Sequence, residues 1–227
     1  MRRFPIIAYC FALMFIGFIA CKNDGKSPEP SVPAATPPPA EAQATILPDE
    51  ANGEYPLLGG QLTWLGKKTV GDAHTGTIAL KSGTLTVEGG KLLRGEVVLD
   101  MGSIAVTDIR DAGERRDLES HLRDADFFEV GKFPEARFRF TEVLPSNLPE
   151  FNHVLSGELT MKGKTNPVNV PVLLRYEGGK IAAQSPAFTI NRTKWGVNFR
   201  SGMLGTVKDK MIEDLVSLSL KVEAKRR

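Results

Sequence analysis

The stretch Val216-Ser217-Leu218-Ser219-Leu220-Lys221-Val222-Glu223 alternates without error, apolar side chains at even positions and polar ones at odd. A β-strand points successive side chains to opposite faces, so this pattern describes a strand with one buried and one wet face. Noisier stretches of the same period lie at residues 61–65, 74–80, 84–88, 96–101, 136–143, 153–161, 168–176 and 181–190. Turn signals separate them: Gly66-Lys67-Lys68, Lys81-Ser82-Gly83, Gly89-Gly90, Pro145-Ser146-Asn147, Gly163-Lys164-Thr165-Asn166-Pro167 and Gly178-Gly179. Strands so closely spaced predict an antiparallel meander. One-sided patterning over this many strands is best satisfied by rolling the sheet shut, which also removes its exposed edges. The expected fold is all-β, a closed antiparallel barrel of about eight strands.

One segment breaks the pattern. Residues 114–128 place Leu118, Leu122 and Ala125 at helical spacing among charges, with Asp117 near the start, where it suits the helix dipole. Phe127, Phe128 and Phe133 follow, and Pro134 ends the stretch. A single amphipathic helix with trailing aromatics, inserted within a meander, reads as a lid at a barrel mouth; a crossover packed on the outside is the alternative.

The N-terminus carries an address. Arg2 and Arg3 precede an apolar run over residues 4–20, and Cys21 follows. A short basic region, an apolar stretch and a small residue form a secretory signal. The run is 17 residues long and contains Pro5, at the lower limit for spanning a bilayer. Phe18-Ile19-Ala20-Cys21 resembles the lipobox of bacterial lipoproteins, which implies cleavage before Cys21 and acylation of its side chain. The chain has two cysteines, so loss of Cys10 with the signal would leave Cys21 alone and no disulfide. Several acyl chains on one residue give stable membrane anchoring, where one chain binds marginally. Lys22 in place of an aspartate points, by the same resemblance, to the outer membrane facing the periplasm.

Beyond Cys21 the composition shifts. Pro28, Pro30, Pro33, Pro37, Pro38, Pro39 and Pro48 lie among Ala, Ser, Thr and Glu, too few large apolar residues to offset the entropy of ordering. An extended tract of ~37 residues could reach on the order of 100 Å. The expected organisation is a lipoprotein signal over 1–20, an acylated cysteine and Pro-rich linker over 21–58, and a folded body over 59–227.

Charge and motif content exclude several function classes. Setting Arg2 and Arg3 aside, the 29 basic residues fall to 27, matching the 27 acidic ones. A balanced body lacks the cluster of cations that nucleic-acid binding by counterion release requires. No G-x-S-x-G elbow, P-loop, G-x-G-x-x-G or H-E-x-x-H occurs, so no catalytic residue is assigned. His74, His121 and His153 are far apart in the sequence, and no metal site or cofactor is expected. The acidic set Asp117, Glu119, Asp124, Asp126 and Glu129 reads as a solvated helix face.

Several motifs together resemble the YceI-like family. They are His74-x-Gly76-x-Ile78-x-Leu80, Val98-Leu99-Asp100-Met101-x-Ser103-Ile104, Asp117-Leu118-Glu119-Ser120-His121-Leu122-Arg123-Asp124-Ala125-Asp126-Phe127-Phe128-Glu129-Val130, Phe133-Pro134 and Phe138-x-Phe140. Gly157-Glu158-Leu159-Thr160-Met161-Lys162-Gly163-Lys164-Thr165-Asn166-Pro167-Val168 and Arg192-Thr193-Lys194-Trp195-Gly196 continue the likeness in order. Trp195 stands where many members have Phe, and Lys208-Asp209-Lys210 where Gly-Asp is usual. The resemblance implies a lipocalin-like barrel with a hydrophobic channel for a polyisoprenoid or other long amphiphilic lipid. The expected lining is Phe127, Phe128, Phe138, Phe140, Leu155, Leu159, Met161, Phe188, Ile190 and Trp195; Arg192 and Lys194 are candidates for a polar headgroup, with Arg able to offer a bidentate fork. Periodicity alone leaves open whether these side chains line a channel or fill a solid core. The functional expectation is therefore a membrane-tethered lipid carrier of unassigned oligomeric state. The alternatives are an envelope structural or stress-interaction protein with a filled barrel, and an enzyme acting on a bound lipid.

Overall fold

The computed structural model describes residues 47–202, 205 and 207–227, so the expected signal, Cys21 and most of the Pro-rich tract lie outside the described residues. Ten strands form: β1 (Gly53–Lys67), β2 (Ala73–Glu88), β3 (Lys91–Asp100), β4 (Ala105–Val106), β5 (Glu135–Pro145), β6 (His153–Met161), β7 (Lys164–Glu177), β8 (Lys180–Gln184), β9 (Phe188–Asn191) and β10 (Leu215–Lys225). The main path of the sheet runs β1-β10-β8-β7-β6-β5-β3-β2, and β1 pairs β2 as well, closing an eight-stranded antiparallel barrel. The short β4 adds to β2 at Gly76 and Thr77. β8 and β9 pair successive stretches of β10, at Lys221–Lys225 and Leu215–Leu218.

Several boundaries differ from the sequence reading. Lys81-Ser82-Gly83 is no turn: β2 runs through it as one 16-residue strand with a register shift between Leu80 and Ser82. Gly83 serves close packing instead, since an added Cβ would stand 2.2 Å from the Glu96 carbonyl oxygen. The single strand expected at 181–190 is divided by Ser185-Pro186-Ala187. Pro186 has no N–H to give a ladder, while Ser185 exchanges bonds with Leu220 through its backbone N–H and through Oγ, which accepts from Leu220 N at 2.7 Å. The folded body also starts ahead of residue 59. Leu47, Ala51 and Tyr55 are buried, Leu47 N donates to Gly90 O at 2.7 Å, and Tyr55 Oη donates to Ala51 O at 2.6 Å.

Tight hairpins need backbone of the opposite hand. The β6–β7 turn is Lys162-Gly163, with φ of 49° and 70°, the two-residue geometry whose twist matches its flanking strands. The expected turn residues Lys164–Pro167 consequently belong to β7.

The helix α1 (Ala112–Arg123) is capped by Asp111, whose Oδ1 accepts from Gly113 N and Glu114 N at 2.8 and 2.9 Å. It stops earlier than 128. The chain then coils through a turn in which Phe127 N donates to Asp124 O and Phe128 N to Leu122 O. Adjacent side chains on a straight helix diverge by about 100°. The turn instead lets both Phe127 and Phe128 face the barrel interior.

The barrel is filled at one end. Tyr55, Val87, Phe140, Val172, Ile181 and Ala224 are almost wholly inaccessible there. Phe140 sits in register with Gly95 on β3 and Gly157 on β6. A Cβ on Gly95 would come 2.6 Å from the Phe140 ring, so missing side chains on one strand make room for the aromatic of the next. An eight-stranded interior is just wide enough to be closed this way. Among the described residues no helix is long and apolar enough to cross a membrane.

Candidate functional site

The other end of the barrel is hollow. A cavity of about 150 Å³ lies between the later residues of β1, β3 and β6 and the earlier residues of β5, β7 and β10, the halves that antiparallel pairing brings to one level. Its accessible wall is apolar throughout. Leu122 from α1, Phe127 and Phe128 from the turn behind it, and Met101 and Ile104 from the β3–β4 connection cover this end. The helix thus sits as a cover over the cavity.

Of the residues expected to line a channel, Phe127, Phe128, Phe138, Leu159, Met161, Phe188 and Ile190 are brought together around the cavity. Phe140 and Leu155 are not: both point inward, but at the filled end. Strand parity reports which face a side chain takes and not how far along the barrel it lies, so Phe138 and Phe140 look alike in the sequence. Trp195 is also outside the lining, buried to 1% exposure, with its Nε1–H donated to Leu159 O at 2.8 Å. Residues missed in the sequence include Leu62, Trp64, Val97, Leu99, Leu122 and Val197. The alternation of β1 and β3 marked the strand members as inward-facing, but nothing in it tied them to this level.

Arg192 borders the cavity, yet its guanidinium is committed elsewhere. Nε donates to Glu213 O at 3.1 Å, Nη1 to Val197 O at 2.7 Å, and Nη2 to Ile212 O at 3.0 Å, with Asp214 Oδ1 at 3.4 Å. Burial pushes this group below the usual arginine range, against the pull of Asp214. Four of its five N–H donors are engaged, and the side chain works as a clasp between the turn at 192–195 and the segment before β10. Lys194 is exposed; its carbonyl accepts from Asn166 Nδ2 at 3.2 Å. Lys162, at the β6–β7 turn, reaches the cover and donates Nζ to Ala125 O and Phe127 O at 2.7 and 2.6 Å. Arg192 and Lys162 therefore hold loops in place.

The histidines are dispersed. His74 Nδ1 stands 3.0 Å from Asp108 Oδ2, and His153 is buried with Nδ1 2.8 Å from Asn152 Oδ1. His121 lies edge-on to Phe127 and Phe199, at centroid distances of 5.0 and 4.7 Å, and 3.3 Å from Asp126 Oδ2. Among the described residues no three metal-ligating side chains converge. The arrangement offers an apolar hole beneath the α1 cover.

A UPF0312 protein of Pseudomonas putida (strain GB-1) is 25% identical over 162 residues, covering 69% of this chain and 79% of its own. A UPF0312 protein of Vibrio cholerae (strain El Tor Inaba N16961) is 30% identical over 121 residues, covering 50% and 56%. BcnA of Burkholderia cenocepacia superposes with a TM-score of 0.56 at 18% identity, over 73% of this chain and 96% of that one. A domain of Saccharophagus degradans, described as polyisoprenoid binding and implicated in plant cell wall breakdown, gives 0.56 at 16% identity, over 76% and 98%. At such identities the structural likeness is one of fold. The YceI-like domain pattern matches residues 60–224, from within β1 to within β10, and the chain belongs to the YceI-like domain family.

Proposed function

We propose that the barrel binds the apolar chain of a polyisoprenoid or similar long amphiphilic lipid, and that the protein is a carrier or sequestering protein rather than an enzyme. The observation that carries this reading is the apolar cavity beneath the α1 cover. Burying a methylene is worth about 0.8 kcal/mol, so such a hole gains affinity from chain length without a polar code. A cavity near 150 Å³ is of the size that takes one benzene ring and stays dry. Longer chains must therefore displace side chains, and those of the cover, Leu122 at the end of α1 and Phe127 and Phe128 on the turn behind it, are the ones at this end of the cavity. The name of the Saccharophagus domain, polyisoprenoid binding, supports the ligand class.

The proposal extends to the address. Acylation of Cys21, with the Pro-rich tract as a spacer, would hold the barrel at the bacterial envelope, at the outer membrane facing the periplasm. Intact-mass analysis of the mature chain tests this: the expected result is cleavage before Cys21 with added acyl chains, absent in Cys21→Ser.

The deciding experiment is native mass spectrometry of the full chain followed by organic extraction. A co-purifying prenyl or acyl lipid, displaced by added polyprenol, is the expected outcome. An empty protein that takes up neither polyprenol nor a fluorescent prenyl probe would refute the carrier. It would favour the second reading, an envelope structural or stress-interaction protein, which the filled half of the barrel around Phe140 fits.

A further inference from the structure

Between β7 and β9 the wall beside the cavity has no hydrogen-bond ladder among the described residues. Toward the filled end β8 bridges β7 and β10, pairing residues 173–177 on one side and 221–225 on the other. After Ser185-Pro186-Ala187 the chain continues as β9, which pairs β10 alone. Residues 164–172 of β7 pair only β6. The two strands therefore run side by side unjoined. The gap has closed ends: the pairing of Leu173 with Gln184 at one, and at the other Asn166 Nδ2, which donates to Lys194 O at 3.2 Å. Between them lie residues 167–172, about 20 Å of strand.

The prolines of β7 keep this edge unjoined. Pro167 and Pro171 stand opposite Glu158 and Val154 on β6, at positions of one parity. Having no N–H to exchange with β6, they occupy the pairs whose backbone groups point the other way, toward the gap. Of residues 167, 169 and 171, only Asn169 has an N–H to offer. An edge so poor in donors is a weak template for β9 or for any other strand. Both borders carry cavity residues, Val168 and Val170 from β7 and Phe188 and Ile190 from β9. Val168 and Phe188 are only half-buried although they line the interior. The cover, by contrast, is tied down. Lys162 donates to Ala125 O and Phe127 O, Arg123 donates to Gly102 O and Ile104 O, and Glu119 Oε1 accepts from Val106 N.

The polar head of an amphiphile has no place inside. The cavity wall is apolar, Arg192 is engaged by three carbonyls and Asp214, and burying an unpaired charge is prohibitive. Resting on the reading of the cavity as a lipid site, we infer that the gap between β7 and β9 is a side port of the barrel. The apolar chain of the ligand slides between the two strands, and its head stays in the gap beside the exposed Asn169 and Thr189. Passage there parts side chains only, whereas entry beneath α1 breaks the bonds that hold the cover. The ligand is then a single-chain amphiphile held side-on.

The test uses the full chain and a farnesol analogue with a photoreactive diazirine beside its hydroxyl. Peptide mapping after irradiation should place the adducts within residues 166–172 and 186–191. A second experiment staples the port. Asn169→Cys and Thr189→Cys, with Cys10→Ser and Cys21→Ser to remove other thiols, are joined by a bis-maleimide. Stapling the empty protein should slow uptake of a fluorescent farnesyl probe by about tenfold or more, and stapling the loaded protein should slow its release to the same degree. Mere damage to the site would speed release instead. Adducts confined to residues 112–134, or a staple that leaves both rates as they were, would overturn the port and leave the lipid site standing. A probe that does not bind the unstapled protein would overturn the lipid site itself. Should the stapling variant not fold, the adduct pattern of the natural protein decides.

Discussion

Filling the cavity from its wall should separate stability from binding. Ala136 lies on β5 opposite Leu99, is 1% exposed and lines the cavity. Ala136→Leu adds three carbons inside a hole of about 150 Å³, enough room for them. At about 0.8 kcal/mol per buried carbon the gain is about 2.4 kcal/mol, less about 0.5–1 kcal/mol of lost rotamer freedom. The delipidated variant should therefore be more stable by about 1.5 kcal/mol, a rise of roughly 5 °C in Tm for a body of this size. The same three carbons exclude the same volume of ligand. Prenyl affinity should fall by about 2.4 kcal/mol, on the order of fiftyfold in Kd. Thermal denaturation of the ligand-free protein and a fluorescence titration with a dansylated prenyl probe read the two quantities separately. A variant destabilised by 1 kcal/mol or more would mean that the site is already full, and unchanged probe affinity would mean that the ligand binds elsewhere. Either result refutes the reasoning.

Phe140→Ala, at a position with no solvent exposure, should cost about 3–5 kcal/mol in chemical denaturation, and the space it leaves at the filled end should let longer prenyl chains bind; loss of stability without any change in chain-length preference would show that the two ends are not continuous. Arg192→Lys keeps the charge and removes the fork that joins Glu213, Val197 and Ile212, and a cost of about 2–4 kcal/mol is expected with equal loss of neutral and phosphorylated prenyl binding. A selective loss of the phosphorylated ligand would instead restore Arg192 to a headgroup role. The N–H groups of Glu114 and Gly113 hold the Asp111 carboxyl below its usual range. The unfolded chain, with an ordinary value of about 3.9, therefore takes up the proton first as pH falls. The contribution of Asp111 to α1 is complete above that value and is lost as the pH drops through the lower folded one, so the natural protein and Asp111→Asn should converge in stability as the pH falls below the folded value. Curves that stay parallel across that range would refute the cap.

The cover and the barrel were legible to different degrees. The error-free alternation of residues 216–223 and its weaker copies carried the strands, because a sheet wet on one face writes its period directly into the chain. Glycine was the ambiguous letter. At Gly163 it marks a hairpin of positive φ, whereas at Gly83 it marks close approach between strands, and only the second strand's carbonyl reveals which. The helix was found from Leu118 and Leu122, but its early end was not, since the turn that follows is set by what Phe127 and Phe128 cover.

The sequence by itself determined that this chain forms a one-sided β-sheet long enough to close, broken by a single helix, with no arrangement of residues that announces chemistry. It also supplied the inward-facing aromatics. Tertiary structure alone decided that the barrel is solid around Phe140 and hollow beside Phe138, that Arg192 is a clasp, and that β9 runs beside β7 without pairing to it. Parity along a strand fixes only the face of a side chain. Whether an interior is empty depends on the summed volumes of residues from eight strands at one level, and that sum exists only once the registers are set.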